Sequence, residues 1–330
     1  IGLYFFTIEN IYLGLFFYFF ALFSFWASLV FYNSYLPEIA FPNQQDRISA
    51  VGYSYGYVGS VLLLLINLMM VLFPSTFGFE DTIEPMKISF VMVGLWWAGF
   101  SQYTFHYLPK NQIQFPKKDF LKKSILFGGF YQLKNVWKLV KKQESIKKFL
   151  IAFFVFSCAL QTIILIATYF GEQEIIWKEG EKQIGLIICT LLIQLIAILG
   201  AMLTAKLSEK IGNIQTLIYL NIFWFMLCVG GYFIKYSYEF YVVASLVGLV
   251  MGGIQALSRS TYSKLIPATE NTCSYFSFYQ MCMIISISLG TFMSGIVDQL
   301  TGSLRNSIII FAVIFIFGAI LLKDIKMKKL

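Results

Sequence analysis

The sequence predicts an all-α integral membrane protein, and three observations agree on this. Charge content is far below that of a soluble domain, nine long stretches carry no charge, and lysine and arginine are unevenly shared among the loops between them. Charged residues make up 13% of the 330-residue chain and apolar residues 58%, with a mean hydropathy of +0.73. An average soluble domain carries about 25% charged residues. Apolar surface on this scale requires lipid as its solvent.

Between successive Asp, Glu, Lys or Arg residues, charge-free windows run over 10–37, 48–79, 88–109, 149–171, 183–205, 211–234, 240–258, 271–297 and 306–322. A spanning helix needs about 20 residues, within a range of about 17–25, and every window reaches that range. The next longest window, 124–133, is too short. Nine spans are therefore predicted.

Orientation follows from the excess of Lys and Arg expected in cytoplasmic loops. With nine spans, one side takes 34–49, 110–148, 206–213, 259–270 and the tail from Lys323, and holds 20 of the 25 Lys and Arg residues. The other side takes the N-terminal stub, 74–87, 172–182, 235–239 and 298–305, and holds the remaining five against ten acids. The first side is expected to be cytoplasmic, with the C-terminus inside and residue 1 outside. The expected location is a bacterial inner membrane.

The net charge of +8 is then a topology signal, and a nucleic-acid partner is not expected. The lysines between Lys117 and Lys148 suit a cytoplasmic linker close to anionic headgroups. Cys158, Cys189, Cys228, Cys273 and Cys282 fall in or beside spans with no CxxC pair, so no metal, cofactor or disulfide is expected. The chain opens on Ile1 and shows no signal peptide. With the odd span count, this leads to the expectation that an N-terminal portion is missing.

Three spans precede the 110–148 linker and six follow it. Within the linker, Phe120, Leu121, Ile125, Phe127, Leu133, Val136, Trp137 and Val140 alternate with lysines. That pattern fits a helix lying on the membrane face, or a solvated tether. Gly52, Gly56 and Gly59, Gly248 and Gly252, and Gly290 and Gly295 fall at spacings that let membrane helices approach closely, although Gly is in any case frequent in such helices.

Between the fifth and sixth spans lies Gly200-Ala-Met-Leu-Thr-Ala-Lys-Leu-Ser-Glu-Lys-Ile-Gly-Asn213. This resembles the cytoplasmic loop signature of the major facilitator superfamily, G-x-x-x-x-x-x-L-x-D-[RK]-x-G-[RK]. Gly200, Leu207, Lys210 and Gly212 match, while Glu209 replaces the usual Asp and Asn213 the usual basic residue. An acid at a helix end can pair with a neighbouring helix N-terminus and with cations, closing the cytoplasmic side. Gly212 permits a tight turn and Gly200 close packing. The superfamily has this signature between its second and third helices and a weaker copy between the eighth and ninth. A copy followed by four spans is the second one, so the nine spans count as helices 4–12 of twelve. The implied domains are 1–109 as helices 4–6, 110–148 as the linker and 149–330 as helices 7–12.

Four stretches are more specific: LVFYNSYLPEIA (29–40), DRISAVGYSYGYVGSVLLL (46–64), VGLWWAGFSQYTFHYLP (93–109) and LSRSTYSKLIPATENTCSYFSFY (257–279). They are similar to bacterial members of the vacuole effluxer-like family, relatives of the autophagy-associated vacuolar amino-acid effluxer. The resemblance implies secondary transport of a small solute, amino acids being one class, in the direction of efflux. Members often carry an acid and other charged residues just after the SFY element. Here Gln280-Met-Cys-Met-Ile-Ile follows, so no role for that charge carries over.

Polar groups inside spans are costly and therefore candidate sites. The windows hold no acid, so a carboxylate carrying a coupling proton would have to lie in the missing helices or at rims such as Glu38, Glu270 and Asp298. Among neutral groups, Asn33, Asn67, Gln161, Gln255, Tyr279 and Gln280 are candidates for a solute cavity. Interhelical hydrogen bonding is the plainer reading of each. Further neutral polar residues, Gln102, Gln194, Asn221, Tyr55 and Tyr57, fit either reading. His106 reads as interfacial. Glu38, Asp46, Arg47, Arg259 and Lys264 are rim charges; for the last two, an ion pair with Glu209 or Glu270 is the sharper reading. A monomeric transporter working by alternating access is the expectation. The alternatives are a membrane-embedded enzyme, for which no HxxxH, DxxD or Ser-His-Asp grouping is present, or a non-transporting subunit of a membrane complex.

Overall fold

The computed structural model describes residues 1–108, 123–267, 269 and 271–327. Among these residues the fold is helical, with one isolated bridge between Ile176 and Tyr236. In chain order the helices are α1 (Ile11–Ser34), α2 (Leu36–Ile39), α3 (Gln45–Leu72), α4 (Ile83–Tyr107), α5 (Lys123–Lys142) and α6 (Glu144–Gln173). They continue with α7 (Lys182–Ile211), α8 (Asn213–Phe233), α9 (Ser237–Leu265), α10 (Thr272–Thr301) and α11 (Leu304–Leu322).

Each charge-free window coincides with one long helix. Eight of these helices are long and apolar enough to cross a membrane, where nine were expected. The exception is α4, whose 25 residues reach spanning length but include Trp96, Trp97, Ser101, Gln102, Tyr103 and His106. The linker is partly a helix: α5 buries Val136 and Val140 and stacks Trp137 on Phe278 at 5.6 Å. Lys134, Lys138, Lys141 and Lys142 stay exposed, as a 3.6-residue period requires. Lys117 and Lys118 lie outside the described residues.

The chain forms two compact units, Ile1–Ser28 with Gly59–Leu133, and Leu29–Val58 with Lys134–Leu330. The division cuts α1 and α3. In the first unit, Phe25 meets Trp97 edge-on at 5.6 Å, and most side chains of α1 are exposed apolar groups, as lipid contact demands.

The second unit has a dense aromatic core. Phe153 stacks on Tyr279 at 4.1 Å, Tyr262 lies between Phe149 and Tyr279, and Trp224 stacks on Phe315 at 5.3 Å. Helices α7 and α9 approach backbone to backbone. A Cβ on Gly200 would collide with the carbonyl of Leu249, and one on Gly252 with the carbonyl of Ala197. Gly248 and Gly290 are equally confined, whereas Gly56 and Gly295 face open space and carry no packing role.

One end of this unit is tied by Arg305 at the start of α11. Its Nε donates to Glu174 Oε2 at 2.8 Å, Nη2 to the Glu174 carbonyl at 2.6 Å, and Nη1 to the carbonyls of Tyr232 and Ile234 at 2.8 and 2.5 Å. The Ser303 hydroxyl and Leu304 N–H donate to Glu174 Oε1. Burial works to raise the Glu174 carboxyl, but these hydrogen bonds and the guanidinium charge outweigh it and hold the group below its usual value. The clamp thus joins the ends of α6, α8 and α11.

Candidate functional site

At the opposite ends of these helices, the second unit gathers polar side chains that the sequence scatters over more than 200 positions. Asp46, in the first turn of α3, is 4% exposed and its partner Lys264, in the last turn of α9, is 7% exposed. Lys264 Nζ lies 2.5 Å from Asp46 Oδ2. Asn213, the first residue of α8, donates its amide to Asp46 Oδ1 at 2.7 Å and to Thr261 Oγ1 at 3.1 Å, and accepts from Lys264 at 3.2 Å. The Ser208 hydroxyl, near the end of α7, reaches Asp46 Oδ2 at 3.2 Å and the Ala205 carbonyl at 2.8 Å. Both carboxylate oxygens are occupied, and the ammonium has two acceptors. A buried pair is tolerated under these conditions.

One turn further along α3, Ser49 makes a second layer. Its hydroxyl donates to the Ala256 carbonyl at 2.6 Å and accepts from Arg259 Nε at 2.9 Å. Arg259 Nη2 donates to the Ser49 carbonyl at 3.0 Å and Nη1 reaches Asn33 Oδ1 at 3.4 Å. The guanidinium, 3% exposed, also lies 4.7 Å from the Tyr53 ring and 5.1 Å from the Tyr32 ring. Gly52 makes room: a Cβ there would stand 2.9 Å from the Tyr32 hydroxyl and 3.3 Å from Arg259 Nη2. Asp46, Ser49 and Gly52 recur every three residues, which places them on one helix face.

The loop signature contributes differently from the pattern it resembles. Gly212 has φ +87°, a conformation that favours glycine, and it separates α7 from α8. Gly200 packs against α9 as described. Glu209 and Lys210 are exposed and have no polar partner among the described residues, and Leu207 is exposed. The positions that enter the network are Ser208 and Asn213. Glu209, the acid expected from the signature to pair across the cytoplasmic side, is exposed, and α7 turns Ser208 toward α3.

The other predicted residues are spread out. Glu38 accepts from Thr272 at 3.4 Å, and Arg47 is exposed without a polar partner among the described residues. Glu270 lies outside the described residues. Of the cavity candidates, Asn33 belongs to the Arg259 layer, and Gln255 accepts from the Tyr57 hydroxyl at 2.9 Å. Gln161 meets Met283 Sδ at 3.4 Å, Tyr279 is stacked in the aromatic core, and Gln280 is 1% exposed with neither amide atom bonded. Asn67 belongs to the first unit and its Oδ1 is unpartnered. None of the six lines the apolar cavity of about 100 Å³ bounded by Ile163, Trp224, Phe240, Met251 and Ile308. Among the described residues, no group of His, Cys, Asp and Glu could hold a metal ion.

Sequence reasoning missed Ser49, Tyr32, Tyr53, Ser208 and Thr261. The three-residue spacing from Asp46 was readable, as was the hydroxyl-rich run Ser258–Ser263 ending a span.

Comparison with known proteins agrees with this architecture. The fucose:proton symporter FucP of E. coli superposes with a TM-score of 0.62 at 12% identity, over 90% of this chain and 72% of that one. The fold is therefore that of the major facilitator transporters. The chain is 26% identical over 295 residues to a Bacillus subtilis protein described as an uncharacterized MFS-type transporter, YxiO, covering 89% of this chain and 66% of that protein. It is 26% identical over 307 residues to autophagy-related protein 22 of Pichia angusta, covering 82% and 53% respectively. The chain thus spans between about half and two thirds of the length of the curated relatives it matches. The sequence profile described as vacuole effluxer Atg22 like matches residues 1–329, and the chain belongs to that family.

Proposed function

We propose that this chain forms part of a secondary transporter that exports a small solute by alternating access, and that the Asp46 and Arg259 layers are the latch closing its cytoplasmic side. The observation that carries the reading is the buried network itself. Two cations and one carboxylate are withdrawn from water at the ends of α1, α3, α7, α8 and α9, where burial of a charge costs several kcal/mol, and charges retained at such a cost mark a functional site. Such a cluster is bistable: intact when the ends are packed, and hydrated when they part. The family's description as effluxers, the transporter description of the Bacillus relative and the fold shared with a proton symporter all support transport.

On this reading the membrane is the bacterial inner membrane, the C-terminus is cytoplasmic and the protein acts as a monomer. Residues 1–109 and 149–330 belong to the two rocking bundles, joined by the basic 110–148 linker against anionic lipid. Amino acids are the solute class the family resemblance suggests, and a proton or other ion is the coupling partner. With neutral polar groups inside the spans, the rim acids are the candidate proton carriers within this chain. Reconstitution of the full-length protein into proteoliposomes tests the proposal. Solute flux that depends on an imposed gradient and is altered by Asp46→Asn is expected. Absence of flux for every small solute offered, with and without a proton gradient, refutes it.

A further inference from the structure

Among the described residues, Arg259 is a buried cation without an anion. Among the described residues, Asp46 pairs with Lys264, Glu174 with Arg305 and Glu172 with Lys182, and no carboxylate lies within ion-pairing distance of Arg259. Its acceptors among the described residues are all neutral: the hydroxyl and carbonyl of Ser49 and the amide oxygen of Asn33. Their arrangement is specific. Nε and Nη2 form the edge of a guanidinium that grips a carboxylate through two parallel hydrogen bonds. Here that edge is filled by two oxygens of one residue, at 2.9 Å and 3.0 Å. Ser49 therefore stands in for a carboxylate. Its hydroxyl proton is directed away, to the Ala256 carbonyl, so that a lone pair faces Arg259. Tyr32 and Tyr53 hold the guanidinium by its π-faces, fixing its orientation without using its donors.

We propose that the Nε–Nη2 edge of Arg259 is a binding site for the carboxylate of the solute, and that Ser49 occupies it in the closed latch. The inference rests on the transporter reading above and adds to it the residue that recognises the cargo and the chemistry recognised. Ser49 and a carboxylate exclude each other from one edge. Parting of α3 from α9 exposes a preoriented cation to the cytoplasmic side, where it captures the carboxylate. Closure returns Ser49 and releases the anion. Two sources share this chemistry, a simple monocarboxylate and an amino-acid zwitterion.

The test measures equilibrium binding and not flux, so it can fail independently of the transport reading. Full-length protein in nanodiscs is titrated with isobutyrate and with isobutyramide, its uncharged isostere, at constant ionic strength balanced by chloride, and thermal unfolding is followed. Isobutyrate is expected to stabilise the protein saturably, and isobutyramide is not. Arg259→Gln abolishes the effect, and Arg259→Lys, which keeps the charge but loses the fork, weakens binding about tenfold. Ser49→Ala removes one of the competing oxygens and tightens binding about tenfold. A variant damaged in folding does not gain affinity, so this arm remains decisive if Arg259→Gln fails to fold. The proposal is overturned by equal effects of acid and amide, by retention of binding in Arg259→Gln, or by unchanged or weaker binding in Ser49→Ala. Adding 2-aminoisobutyrate then assigns the source: tighter binding than isobutyrate identifies the zwitterion, and weaker or equal binding the simple acid, and both orders uphold the site. Loss of flux with binding intact would refute transport and leave the site. Intact flux with carboxylate binding unaffected by Arg259→Gln would refute the site alone.

Discussion

Asp46→Asn is the most direct probe of the latch. The substitution keeps the shape of the side chain and one acceptor oxygen but removes the one carboxylate among the described residues that pairs with Lys264, 2.5 Å away and 7% exposed. Breaking one partner of a buried pair costs about 3–5 kcal/mol. Because Asn retains an acceptor for the ammonium, the lower end applies, about 3 kcal/mol. That cost falls on the closed state alone, since a hydrated Lys264 in the open state needs no counterion. At 1.4 kcal/mol per decade, the open fraction rises about 100-fold. A reporter is available in Ala50, fully buried beside Ala201, Ala205 and Ala256 on the same face. The assay is the rate at which a water-soluble maleimide modifies Ala50→Cys in the full-length protein, with the native cysteines as background. Asp46→Asn should accelerate labelling about 100-fold. The double variant with Lys264→Gln, which removes both charges, should return to within about tenfold of the parent. An unchanged rate in Asp46→Asn, or two single effects that simply add, would refute the latch.

Glu209→Gln with Lys210→Gln should alter the same labelling rate less than about twofold, because both side chains are exposed and lack polar partners among the described residues; a tenfold change would return the latch to the loop signature. Gly252→Ala forces a methyl into the Ala197 carbonyl and should cost about 1–3 kcal/mol in thermal unfolding, whereas Gly56→Ala, facing open space, should cost nothing measurable. Glu174 is held below its ordinary value, so its contribution is complete above the ordinary value of 4.5 and fades as pH falls through the lowered one. Wild type should therefore lose unfolding midpoint on acidification below pH 4.5 more steeply than Glu174→Gln, and parallel pH profiles would contradict this. Arg305→Ala should lower stability by at least about 2 kcal/mol by leaving Glu174 and two carbonyls without their donor.

The helices were legible in the sequence because lipid imposes a simple rule: a spanning segment excludes charge, so the gaps between charges are the segments. The same rule hid the site. It assigns every charge to a rim and is silent on burial: Arg259 and Lys264, in the last two turns of α9, are both withdrawn from water, Arg259 among neutral groups. Periodicity reports which residues share a helix face, but not which partner that face meets, so the pairing of Asp46 with Lys264 across 218 positions was out of reach. Within the loop signature, the residues that reach Asp46 are Ser208 and Asn213, whereas the acid Glu209 is exposed. α4 shows the opposite limit: it is free of charge for long enough, but Trp, Tyr and Gln lower its apolarity, and absence of charge alone does not measure that.

The departure of Asn213 from the signature has a physical cause in the network. A lysine or arginine at this position could only donate. The site requires more, because Asp46 Oδ1 needs a donor while Lys264 Nζ needs an acceptor, and Thr261 Oγ1, which spends its own proton on the Leu257 carbonyl at 2.6 Å, needs a second donor. A primary amide offers two donors and an acceptor in one plane, and Asn213 uses all three functions. The cation that the signature usually places here comes instead from α9, as Lys264. Asn213→Lys should therefore not restore anything. It sets a second ammonium against Lys264 with one carboxylate to share, and it leaves Lys264 without its second acceptor. The expected outcome is faster labelling of Ala50→Cys, by about tenfold or more, since like charges at this range oppose the closed state. Asn213→Asp supplies acceptors but no donor for Asp46 and places two carboxylates side by side, and the same direction is expected. If Asn213→Lys slowed labelling, the signature's basic residue would be a better latch than the amide, and the assignment of Asn213 as the bridge between acid and ammonium would be wrong.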